Sequence, residues 1–285
     1  MFAVFALLGS GAALPDNGGH HILWEVQGRH NVLYLLGSVH LLRPDDSEIP
    51  SDAMRAYEQS KTLVLELDLN ALDPQEVVAD GASLGVLPEG KTLSDELGPD
   101  LYAKFKTRAG SLGLDAELTE RFQPWFAAMT LEQMELTQAG FDASSGVDMR
   151  LAQRAQLDNK AVIGLETMSQ QLHIFADMSA EQQRAYMRST LDEMDGGVKE
   201  VNEVIAAWQH GDTQKLEQLL KEATQESPEL FRKLTTDRNR SWLPRIEHML
   251  DDDKNYLVVV GALHLIGQGG VVDLLQHDGY HIVQH

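Results

Sequence analysis

The feature that most constrains this chain is an echo within it. The apolar run Val32–Leu36 (VLYLL) is followed by Gly37-Ser-Val-His40 and then two leucines. Near the other end of the chain, Tyr256–Val260 (YLVVV) is followed by Gly261-Ala-Leu-His264 and then Leu-Ile. Runs that are apolar throughout and bounded by polar punctuation read as strands covered on both faces. A glycine just past a strand permits close backbone approach, and a histidine three residues on can turn over the sheet edge. Ligands of α/β sheets gather beyond the carboxyl ends of the strands. If the two strands are neighbours in one sheet, His40 and His264 meet at one site.

Four more runs read as strands: Ile22–Val26, Thr62–Leu69, Ala161–Leu165 and His281–Val283. Gln27–Asn31 is the expected hairpin turn between the first run and Val32–Leu36. Between about residues 70 and 250 the pattern is mostly helical. Pro124 suits the first turn of a helix whose Trp125, Phe126, Met129 and Met134 form an apolar stripe. Ser179-Ala-Glu-Gln182 resembles a capping box, and Asp212 is a candidate N-cap. No low-complexity linker divides the chain. These elements predict an α/β fold: a central mixed β-sheet with flanking helices, and a large helical insertion over about 70–250 between the two matched strand–G-x-x-H units. Residues 15–285 are read as one domain, with a separately folded helical subdomain as the alternative.

The start, Met1–Leu14 (MFAVFALLGSGAAL), is apolar, uncharged and about as long as the apolar core of a signal peptide. Ser10, Gly11, Ala12 and Ala13 offer small-residue cleavage points, although no basic segment precedes the run. Residues 1–14 are therefore expected to be a leader, and the mature protein to be periplasmic or secreted; without a leader it would be cytoplasmic. The run is too short to span a bilayer, and no other segment reaches 18 apolar residues, so no membrane span is expected in the mature chain.

Composition narrows the chemistry. The 285 residues include no cysteine, which excludes disulfides, thiolate-bound zinc, Fe–S clusters and a cysteine nucleophile. Lys and Arg number 23 against 44 Asp and Glu, a formal net charge of −21. So acidic a surface repels phosphate backbones, so nucleic acid is not an expected partner. Nitrogen ligands come from 11 histidines. Two imidazoles suit a transition metal such as Mn, Co or Zn. Glu66, from the third strand run, completes a two-His, one-carboxylate set that supports metal-assisted hydrolysis. Asp68, on the same face, reads as a supporting partner or a cap. Glu166, at the end of the Ala161–Leu165 run, reads as a ligand, a general base or a first-turn helix acid. Arg238, in a helical segment, is a candidate for neutralising an oxyanion. Of the other histidines, His20 and His21 lie in a Gly-rich entry segment, His277, His281 and His285 crowd the C-terminus where they could bind metal adventitiously, and His173, His210 and His248 fall in helical stretches without ligand-like partners at i+4. No H-E-x-x-H, P-loop, dinucleotide fingerprint or G-x-S-x-G elbow occurs.

Taken together, these pieces resemble the TraB/GumN family, the bacterial relatives of the Tiki metalloproteases. The resemblance rests on WEV at 24–26, GSVH at 37–40, LELD at 65–68, PW at 124–125 and GVDMRL at 146–151. It continues through GLET at 164–167, WQHGD at 208–212, RNR at 238–240 and GALHLIGQGGVVDLL at 261–275. It implies an erythromycin-esterase-like α/β fold and a divalent-metal hydrolase acting on peptides or small molecules. His40 and His264 match the two G-x-x-H histidines, Glu66 the strand glutamate and Arg238 the arginine; Glu166 stands in the GLE position. Glu66 or Glu166 would be the general base. Two alternatives stay open: a non-catalytic metal- or haem-binding protein of similar core, and a metal-free esterase with one histidine as base.

Overall fold

A computed structural model describes residues 21–46 and 48–285; the leader-like start and His20 lie outside them. Six strands form one mixed sheet: β1 (Leu23–Gln27), β2 (Val32–Ser38), β3 (Thr62–Leu65), β4 (Ala161–Gly164), β5 (Tyr256–Gly261) and β6 (Ile282–Gln284), in the order β4-β3-β5-β2-β1-β6. β1 and β2 form the expected antiparallel hairpin, closed where Gly28 N–H donates to Asn31 O at 3.0 Å. β6 pairs antiparallel with β1.

β4, β3, β5 and β2 run parallel, so their carboxyl ends lie along one edge. β5 sits at the centre and is buried from Tyr256 to Val260, which is why its sequence is apolar throughout. Its register with β2 sets Gly37 beside Val260 and Ser38 beside Gly261. The two matched glycines are thus neighbours across the ladder.

Two compact units emerge. The sheet unit holds the described residues up to Ala71, Asp142–Thr167 and Glu200–His285. The helical unit holds Leu72–Phe141 and Met168–Lys199, around a core that includes Leu93, Phe105, Ala128, Leu131 and Met187. The strand β4 interrupts the predominantly helical stretch read between 70 and 250, and the helices beyond Glu200 belong with the sheet. Among the described residues, no helix is long and apolar enough to cross a membrane.

Several local signals act as their chemistry requires. Pro124 opens the Pro124–Gln138 helix. Ser179 and Gln182 cap each other reciprocally, at 2.9 and 3.2 Å. The Asp212 side chain accepts from Lys215 N–H at 2.9 Å at the start of the Thr213–Glu226 helix. The Thr62–Leu69 run is a strand only to Leu65. Past that point Asp68 Oδ1 accepts from Asn70 and Ala71 N–H, both at 3.2 Å, and folds the chain into a turn. Asp68 therefore leaves the pleat and caps this turn, while Asp73 is the N-cap of the Pro74–Gly85 helix that follows.

Gly37 is held on two sides. Its carbonyl accepts from Trp208 Nε1–H at 2.8 Å. A Cβ there would lie 2.3 Å from Ile22 Cγ2 and 2.9 Å from Ala262 Cα. Gly37→Ala is expected to cost about 1–3 kcal/mol of stability through overpacking. Gly81→Ala, in the Pro74–Gly85 helix where a Cβ meets nothing within 4 Å, should be neutral or stabilising by about 0.5–1 kcal/mol. Urea denaturation of both variants checks the contrast; equal effects would contradict the close approach at Gly37.

Candidate active site

The parallel strands deliver four residues to one edge. His40 lies two residues beyond β2, Glu66 immediately after β3 and Glu166 two residues after β4. His264 closes the short 3₁₀ turn that follows β5. Backbone hydrogen bonds carry the β3–β4 pairing past the strands, with Leu165 N–H donating to Leu65 O at 2.8 Å and Glu166 N–H to Glu66 O at 3.0 Å. The two glutamates are therefore fixed as neighbours. The Thr236–Leu250 helix adds Arg238, Asn239 and Trp242.

Arg238 is the hub. Nη2 donates to Glu66 Oε2 and to Glu166 Oε1. Nε donates to Glu166 Oε1 at 3.0 Å, and Nη1 to Leu234 O and to His264 Nε2, each at 3.0 Å. All five guanidinium N–H groups thus have acceptors within the protein. The Arg238 side chain is 11% exposed and both glutamates 7%. Glu166 Oε2 also accepts from Trp242 Nε1–H at 3.2 Å.

Because an arginine can only donate, His264 Nε2 must be the acceptor, and Nδ1–H then donates to Asn239 Oδ1 at 2.7 Å. Its ring packs on Trp242, with centroids 4.7 Å apart. Glu66 Oε1 accepts from Gly261 N–H at 2.7 Å. The same oxygen lies 3.5 Å from His40 Nε2 and 3.8 Å from His264 Nε2. His40 Nδ1 lies 3.2 Å from Asp148 Oδ2. A Cβ on Gly261 would stand 3.1 Å from His40 Nε2 and 3.4 Å from Glu66 Oε1. The second matched glycine thus keeps the space among the donors open.

The electrostatics split the two histidines. Burial, reinforced by the Arg238 charge, pushes His264 down to about 3. Burial also opposes charge on His40, but Asp148 and Glu66 outweigh it and push that ring up to about 10. Burial disfavours charge on Glu66 as well, yet Arg238 and the histidines hold it well below the usual carboxylate range.

The donors fit a divalent metal in kind. They are two imidazole Nε2 atoms, that of His264 on a ring anchored through Nδ1 as metal-binding histidines usually are and that of His40 on a ring that would have to give up its proton, and one carboxylate oxygen. The two separations from Glu66 Oε1 compare with about 3.4 Å between ligands of a tetrahedral ion at 2.1 Å bonds. Among the described residues, however, no group of three or more His, Asp or Glu side chains is placed to hold a metal ion. The partners explain this, since the Arg238 guanidinium engages both Glu66 and His264.

The profile of TraB/PrgY/gumN proteins matches residues 22–284, nearly all of the described chain. This chain belongs to the TraB/PrgY/gumN family. Within reach of that family, it is 23% identical to the uncharacterized protein YbaP of Escherichia coli (strain K12), covering 90% of this chain and 94% of YbaP. It is 25% identical to the metalloprotease TIKI2 of Xenopus tropicalis and 24% to the human metalloprotease TIKI1, over 91% of this chain in both cases. It spans 59% and 61% of the length of those two proteins. No solved structure matches the chain.

All five candidate residues, His40, Glu66, Glu166, Arg238 and His264, lie in this one network. Sequence reasoning missed Asp148, Asn239 and Trp242. The signals available were the GVD of 146–148, where Asp148 stands, and the R-N pair, where Asn239 directly follows Arg238; Trp242 carried none.

The split predicts a pH profile. Below an ordinary histidine value of about 6.5, the unfolded chain takes up a proton that His264 refuses until about 3, so stability falls as pH falls. The depressed Glu66 adds to that loss below its usual range. The contribution of His40 is complete below about 6.5 and is lost as pH rises towards about 10. Stability should therefore peak near neutrality. His264→Gln should flatten the acid limb and His40→Gln the alkaline limb, as read by urea midpoints against pH. An alkaline decline that survives in His40→Gln would contradict the assignment.

Proposed function

We propose that this protein is a metal-dependent hydrolase, most closely a peptidase, whose ion is held by His40, His264 and Glu66. The observation that carries the reading is the convergence of two imidazoles on one carboxylate oxygen at the ends of adjacent parallel strands. Similarity to the Tiki metalloproteases supports it. Mn, Co and Zn suit these nitrogen and oxygen donors. A divalent ion held there supplies Lewis-acid polarisation of a carbonyl and acidification of water.

The protein's own residues divide the remaining work. Glu66 is a ligand rather than a base, because a carboxylate held so far below its usual range accepts protons poorly. Glu166 fixes Arg238 through two of the guanidinium nitrogens. Arg238 in turn keeps Glu66 charged and His264 neutral, and because its Nη1–H occupies the His264 Nε2 lone pair, an ion at that nitrogen would have to displace this hydrogen bond. In the metal-free arrangement Arg238 has no N–H left for a substrate oxyanion, so an oxyanion role would require it to exchange one of these partners. His40, with a side chain 31% exposed, marks the side from which a substrate reaches the donors. The apolar start of the chain is read as an export leader, which gives a periplasmic or secreted enzyme.

The test is cleavage of a peptide library by protein stripped with chelator and then reloaded with Mn²⁺, Co²⁺ or Zn²⁺. Reloading should restore turnover. His40→Ala and His264→Ala should each lower it by more than about 100-fold, beyond the usual cost of losing a group that merely supports a ligand, with the fold retained by circular dichroism. Turnover that survives chelation would favour the metal-free esterase instead. Stoichiometric metal without turnover would favour a binding protein.

A further inference from the structure

The Val147–Leu157 helix begins against the residues that carry His40. Val147 N–H donates to Val39 O at 3.1 Å. A Cβ on Gly146 would lie 2.3 Å from the His40 carbonyl oxygen and 2.8 Å from its carbon, so only glycine permits this approach. Asp148 is the second residue of the helix. An acid in a first helical turn usually caps the helix or faces water beside its positive end. Asp148 does neither in full. The cap position is Gly146, with no side-chain cap bond, and the Asp148 side chain is 19% exposed. Its Oδ1 is buried without a hydrogen-bond partner among the described residues, while Oδ2 lies 3.2 Å from His40 Nδ1. A half-satisfied buried carboxylate is costly, and the arrangement that offsets the cost is the contact with His40.

We propose that Asp148 is a positioning residue that accepts a hydrogen bond from His40 Nδ1 and so holds Nε2 of that ring towards Glu66 and Gly261. A carboxylate can only accept, so Nδ1 must carry the proton and Nε2 is the ring nitrogen aimed at the donors. Without Asp148, nothing else among the described contacts of the ring fixes which nitrogen faces the site. Asn239, on the Thr236–Leu250 helix, does the same for His264 at the neighbouring strand end. The inference rests on the reading that His40 serves the site, but its test does not depend on turnover.

The experiment is ¹H–¹⁵N NMR of the imidazole N–H groups in the full chain, with His40 assigned by the loss of its signals in His40→Gln. The wild type should show a downfield, slowly exchanging Nδ1–H signal from His40. Asp148→Ala should lose it, and Asp148→Asn, whose amide oxygen still accepts, should keep it shifted upfield. Should the alanine variant fail to fold, the upfield shift in the asparagine variant carries the test. In parallel, Zn²⁺ affinity measured by competition with a chelating dye should fall about 10–100-fold in Asp148→Ala, as expected for loss of a ligand's supporting partner. A wild-type-like signal in Asp148→Ala, or no such signal in the wild type, overturns the proposal. If the signal behaves as expected and the wild type binds no Zn²⁺, the positioning role stands and the metal reading falls.

Discussion

The arrangement depends on one buried guanidinium. Arg238 faces two carboxylates and an imidazole in a setting where none of the four groups is more than 11% exposed. Removing charges from water is costly, and mutual pairing offsets that cost only when geometry and remaining hydrogen bonds are satisfied. Here they are satisfied in full, because every Arg238 N–H has an acceptor. The value of such a network lies less in net stability than in what its removal would leave behind. Without the arginine, two glutamates would face each other buried and uncompensated. The network therefore specifies where each oxygen and nitrogen stands, which a site built on strand ends needs more than it needs extra free energy.

Glycine makes the density of that network attainable. Gly261 leaves room between His40 and Glu66, and Gly146 lets a helix start press on the His40 carbonyl. Gly164 performs a third such service, since a Cβ there would lie 2.5 Å from Asp68 N, where the chain after β3 turns past the chain after β4. In each case the missing side chain is a spacing device, and the polar groups meet because backbones approach more closely than any other residue allows.

Much of this was legible from residue order. The matched Gly–x–x–His units, the two alternating carboxylates and the apolar strands together pointed to one edge of one sheet, because parallel strands present their carboxyl ends on the same side. The α/β class and the mixed sheet followed from run length and punctuation. What was not legible depends on side chains meeting across the fold. Asp148 reads as an ordinary first-turn helix acid until the helix is seen against His40. Asn239 is one polar residue among many in a charged helix. The alternation of the third run continues through Leu69, whereas the strand ends at Leu65 and its backbone pairing at Glu66, before Asp68 turns the chain. Local pattern reports which face a residue prefers, and not where the pairing partner stops.

The central position of β5 has a temporal consequence. β5 separates β3 from β2 in the sheet, yet it follows both of them, and β4, in the chain. Until residues from Tyr256 onward have left the ribosome, the strands carrying His40 and Glu66 lack the neighbour that joins them, and His264 does not exist. Contacts of such long sequence separation form late and slowly. The residues gathered at this sheet edge therefore come together only once the strand latest in the sequence lies between two that precede it by about 190 residues or more.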